Sequence, residues 1–213
     1  MTGARVDPRW RSFNRRFIGD VHRLLALGYA DVRGQVRDDH EEEDITGLIV
    51  QAIKARQDLG QFTRYFVAET APEQSNGRMG KRRRELDILM ECSSGAPRPH
   101  FIFEAKRLRA PGHSIGEYVG EEGLLCFIRG YYASDCKVAG MVGYVQSHAP
   151  DRWSGELSRK FRTDTDGVLR AMGGPTRVAI DQDLQHEWRS EHIRDDGTPI
   201  RIYHVFLVCY QSS

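Results

Sequence analysis

The chain has 213 residues, 39% hydrophobic and 29% charged, which suits one domain with its own core. Its 31 Lys and Arg nearly balance 30 Asp and Glu, so an anionic partner must be held by local patches and not by a global field. No apolar run approaches the roughly 18 residues of a membrane helix, and the basic N-terminus has no apolar segment after it to make a secretory signal, so a cytoplasmic location with no membrane partner is expected.

Helical spacing of Phe13, Phe17, Val21, Leu24 and Leu25 predicts a helix over 10–29. A second is predicted over 42–54, with Ile45, Leu48, Ile49, Ala52 and Ile53 on its apolar face and the acidic run DDHEEED at its start. Residues 64–69 read as a short strand, and APEQSNGRMGKRRR as a polar loop. RRELDILM and HFIFEAKRLR then read as two strands joined by the turn-rich SSGAPRP. A long helix is predicted over 116–133, a strand over 138–146, a weak helix over 155–172 after a break at Pro150, and a C-terminal hairpin around DDGT. The order predicts a mixed α/β domain spanning 1–213: a core of about 41–146 around one central sheet flanked by helices. Helix 10–29 and the helix plus hairpin of 155–210 are its additions.

The two strands of the presumed hairpin carry charge where burial is expected. In a strand, residues two apart share a face, so Glu104 and Lys106 project together while Phe103 and Ala105 face the other way. Closing the hairpin brings Asp87 beside Glu104. Two carboxylates held together repel unless a cation lies between them, and a hard ion such as Mg²⁺ suits one or two carboxylates with water completing its shell. With Lys106 aimed at an anion or a water, hydrolysis of a phosphodiester becomes chemically reasonable.

Asp87, sixteen intervening residues and then Glu104-Ala105-Lys106, preceded by an acidic-headed helix, resembles the PD-(D/E)xK superfamily of restriction-endonuclease-like nucleases, over residues 41–146. Leu86 stands where the nominal motif has proline. The resemblance implies a restriction-endonuclease-like core. It also implies Mg²⁺, or Mn²⁺ in its place, held by Asp87, Glu104 and the backbone carbonyl of Ala105, with Lys106 orienting the attacking water. Many members add a glutamate from the first core helix. Glu42 and Glu41 both lie near the apolar face centred on Ile45; EEDIT matches the family's usual helix opening, so Glu42 is the expected residue and Glu41 the reserve.

Arg78, Lys81, Arg82, Arg83 and Arg84 enter the strand of Asp87 and are expected to contact nucleic-acid phosphates, with Arg107 and less directly Arg109 extending the patch. The expected function is Mg²⁺-dependent hydrolysis of DNA phosphodiesters, in prokaryotic defence or repair by family analogy. No separate reading domain is visible, so specificity would come from a homodimer or a larger complex, from nucleic-acid structure, or not at all. The alternative is a non-catalytic module of the same fold that binds nucleic acid or a protein. Gln146 stands open between the site and the surface. The scattered histidines have no ligand spacing and are assigned structural roles. The four cysteines form no CxxC pair, and three lie in apolar runs, which predicts buried thiols rather than disulfides or zinc ligands.

Overall fold

The computed structural model describes residues 8–72, 85–95 and 97–210. Its two N-terminal helices are α1, Pro8–Val32, and α2, Glu42–Asp58. Helix α2 opens where sequence reading places it because Glu41 forms a capping box with Asp44, each side chain accepting from the other's backbone N–H. Phe17, Val21, Leu24 and Leu25 of α1 and Ile45, Ile49 and Ile53 of α2 are all buried in one cluster.

Seven strands form a single mixed sheet: β1 Tyr65–Pro72, β2 Glu85–Cys92, β3 His100–Leu108, β4 Val138–Val145, β5 Thr176–Val178, β6 Glu187–Ile193 and β7 Pro199–Val208. Their spatial order is β1-β2-β3-β4-β7-β6-β5. The β3–β4 and β4–β7 pairs are parallel and the others antiparallel. The C-terminal hairpin β6–β7 therefore continues the sheet, with β7 lying between β4 and β6. Phe101, Phe103 and Ala105 of β3 turn to the face covered by α1 and α2. Ile102 and Leu108 turn to the opposite face, covered by α3 Ile115–Tyr118, α4 Leu124–Ile128 and α5 Pro150–Arg162. No helix among the described residues is long and apolar enough to cross a membrane.

Two helix expectations are corrected. The helix predicted over 116–133 is two short helices, broken where Gly123 adopts φ −136° and ψ −123°. A Cβ there would stand 2.3 Å from the Tyr118 carbonyl oxygen, so the chain passes too close to itself for any other residue. The helix predicted over 155–172 is α5, which begins at Pro150 and ends at Arg162. Proline suits the first turn of a helix, where its missing N–H costs nothing, so Pro150 starts the element it was expected to precede. Trp153, Leu157 and Phe161 then repeat every four residues as its buried face.

Beneath α3 and α5 runs a buried polar chain. His192 Nδ1 lies 2.6 Å from the Leu169 carbonyl and must donate to it. The other ring nitrogen, Nε2, then accepts from Ser190 Oγ at 2.7 Å, and Ser190 in turn accepts from His204 Nε2 at 2.8 Å. That leaves His204 Nδ1 to accept from the Tyr118 hydroxyl at 3.0 Å. One direction of donation satisfies every member.

Candidate active site

Strands β2 and β3 pair only as far as Ile88↔Phe103, while β3 continues beside β4 to Leu108. Past that point the β2-side edge of β3 offers its backbone groups to side chains. Asp87 Oδ2 accepts the Ala105 N–H at 2.6 Å, and Glu42 Oε2 accepts the Arg107 N–H at 3.1 Å. A residue's N–H and C=O leave a strand on the same side, so the Ala105 carbonyl also turns toward this opening.

The alternation of β2 breaks at Asp87. Leu86 joins the core under α3 and α4, whereas Ile88 and Met90 join the core under α1 and α2. Opposite, in β1, the paired residues step from Glu69↔Ile88 to Ala71↔Leu86, and the skipped Thr70 has φ +49°. A β-branched residue in the left-handed region is an outlier held by its surroundings, and such distortions concentrate at functional sites.

Here the structure brings four side chains together. Lys106 Nζ lies 2.8 Å from Glu42 Oε1 and 3.0 Å from Glu104 Oε1, and the carboxyls of Asp87 and Glu104 are near enough for each to act on the other's charge. When ionised both are acceptors only, and Glu104 Oε2, buried, has no hydrogen-bond donor among the described residues. Burial raises the Asp87 carboxyl above its ordinary value, against the pull of Lys106 and of the Ala105 N–H. Burial and then the neighbouring Asp87 drive Glu104 well above the carboxylate range. Glu42 is also raised, by burial, with Lys106 pulling it back. Burial alone would lower Lys106, but Glu104, Glu42 and Asp87 outweigh it and hold the ammonium above its usual value.

A buried carboxylate oxygen without a donor, next to a second carboxylate, is a fit for a divalent cation. All three candidate donors, Asp87, Glu104 and the Ala105 carbonyl, are hard oxygens of the kind Mg²⁺ takes. Glu41, the reserve, instead caps α2 and pairs with the Arg107 guanidinium at 2.7 Å. Arg107, expected to face phosphate, thus has its charge engaged by a protein carboxylate and its side chain only 13% exposed. Arg78, Lys81, Arg82, Arg83 and Arg84 lie outside the described residues.

Two supporting contacts were not anticipated from sequence. Gln146 is buried and its Nε2 donates to the His40 carbonyl at 2.6 Å, tying the end of β4 to the approach of α2. Thr46 Oγ1 of α2 meets the buried Tyr144 hydroxyl of β4 at 2.8 Å, one turn after Glu42. Both fix the helix that carries Glu42. Alternation marks Tyr144 as inward-facing, but no local signal pairs it with Thr46, 98 residues away. Comparison with family models, curated proteins and solved structures found no match, so the chemistry of this site has to be read from its own geometry.

Proposed function

We propose that the protein is a Mg²⁺-dependent nuclease with a restriction-endonuclease-like core of the PD-(D/E)xK kind, hydrolysing phosphodiester bonds of DNA, with Mn²⁺ able to substitute. The observation that carries this reading is the nearness of Asp87 and Glu104, with Glu104 Oε2 buried and without a donor among the described residues, and Lys106 beside its other oxygen. Asp87, Glu104 and the Ala105 carbonyl would hold the ion. When bound, it would stabilise charge on the phosphoryl oxygens and make a water more acidic. Lys106, kept protonated by its three carboxylates, donates to a phosphate oxygen or orients the attacking water. Glu42 positions Lys106 and steadies β3 through the Arg107 N–H. Specificity would come from a homodimer or a larger assembly, and a defence or repair role follows from the resemblance alone.

One observation favours a second reading. Lys106 Nζ sits between Glu42 and Glu104 and offsets their charge, as it would in a non-catalytic module that kept the fold to bind nucleic acid or a protein. Incubation of plasmid and single-stranded DNA with Mg²⁺ or Mn²⁺ separates the two. Nicking or degradation by the wild type, lost in folded Lys106→Ala and Glu104→Ala variants, supports the nuclease. Salt-dependent DNA binding without cleavage, unchanged in those variants, supports the module.

A further inference from the structure

At the other end of β3, His100 Nε2, Asp135 Oδ1 and Cys136 Sγ all lie within 4.8 Å of one another. We propose that these three atoms form a zinc site, with the fourth position of the tetrahedron open to water or to a small ligand. The separations are 3.0 Å from sulfur to nitrogen, 3.3 Å from nitrogen to Asp135 and 3.6 Å from sulfur to Asp135. Bonds of about 2.0–2.3 Å at tetrahedral angles place such ligands roughly 3.3–3.6 Å apart. Two of the three separations fall in that range, and the sulfur–nitrogen distance opens by about 0.5 Å to admit the ion.

The same distances dispose of a thiol nucleophile activated by a relay. In a relay the carboxylate bonds one imidazole nitrogen and the nucleophile the other. Here Asp135 and Cys136 both address Nε2, so the three donors converge on one point. A sulfur–nitrogen–oxygen set suits Zn²⁺ and not Mg²⁺, which takes oxygen. On binding, the Cys136 thiol releases its proton to solvent; thiolate and carboxylate together then carry two negative charges against the two positive charges of the ion.

The loop that delivers two of the ligands is held from behind. Arg194, 2% exposed, donates to the Ala133 carbonyl at 2.6 Å and the Cys136 carbonyl at 2.8 Å. Beside the site opens a cavity of about 240 Å³ with Phe17, Ile18, Pro97, Pro99 and Val138 in its wall. It leaves room for a fourth ligand.

Cobalt(II) is the probe, because thiolate coordination gives a charge-transfer absorption that carboxylates cannot. The full-length protein, freed of metal, is titrated with Co²⁺ and back-titrated with Zn²⁺. The expected result is one equivalent of sulfur-bound Co²⁺, displaced by Zn²⁺ and absent in Cys136→Ser. Asp135→Asn, at an exposed position, is expected to weaken Co²⁺ by at least the roughly 10- to 100-fold that loss of an outer-shell partner costs. Glu104→Gln, at the other end of the strand, is expected to keep the absorption in full. A wild type without the charge-transfer band, or a band that survives in Cys136→Ser, overturns the proposal.

Discussion

Two of the buried polar groups on the sheet are built on opposite terms. The chain from Tyr118 through His204 and Ser190 to His192 has a partner for every ring nitrogen and hydroxyl proton. The group of Asp87, Glu104, Lys106 and Glu42 does not: among the described residues one Glu104 oxygen is buried without a donor, and the nearby Asp87 carboxyl raises Glu104 further. Buried polar groups that serve the fold are satisfied within it. A group left unsatisfied at a strand opening, beside a distorted backbone, is the one to which the proposed ion is assigned. Composition alone would rank the two alike.

The largest effect that can break the contrast is on chemistry. Lys106→Ala and Glu104→Ala are expected to reduce DNA cleavage by about a hundredfold or more, the usual cost of losing a charged group at a phosphoryl transition state; retained cleavage in both moves the activity elsewhere. Next comes metal linkage. Mg²⁺ at a hundred times its dissociation constant should stabilise the fold by about 2.7 kcal/mol. Calorimetry would read this as a Tm rise on the order of 5–10 °C, absent in Glu104→Gln. Ser190→Ala strips two buried imidazole nitrogens of their partner and should cost about 1–3 kcal/mol in urea unfolding, with or without metal. Loss of the Mg²⁺ stabilisation in Ser190→Ala, as in Glu104→Gln, would blur the distinction.

The smallest effect is on pH dependence, and its sign separates the two groups. The folded state of the metal-free protein holds the raised Glu104 proton that the unfolded chain releases, so this group's contribution falls as pH climbs above 4.5. His204 is pushed down to about 3, mainly by burial and then by His192. The unfolded chain takes up a proton there that the folded one refuses, so stability is lost as pH drops from 6.5 toward 3. Between 4.5 and 6.5 the two oppose each other. In Glu104→Gln, unfolding measured across that window should show stability rising with pH more steeply than in the wild type.

Much of this was legible in the chain. The apolar spacing of Ile45, Ile49 and Ile53 located α2, and alternation in β2 and β3 located the strands and put Glu104 and Lys106 on one side. What escaped was non-local or steric. Nothing near Val138–Val145 says that β4 pairs with β7 more than fifty residues later. The helix break at Gly123 depends on how closely the Tyr118 carbonyl passes. His100 and Cys136 stand 36 positions apart, and no spacing rule joins them until the sheet does.

Strand β3 is a rod shared by the two proposed sites, with His100 at one end and Glu104 and Lys106 toward the other. Exchange of its outward side chains is a local matter. Insertion or deletion of one residue between positions 100 and 104 would not be, because every side chain beyond it would swing to the opposite surface. The Glu104 carboxylate would enter the apolar layer beneath α1 and α2, and Ala105 would turn to the face of α3, α4 and α5. The length of this strand is therefore under tighter constraint than its composition, and variants that keep either function should differ from this chain by substitution there and not by indel.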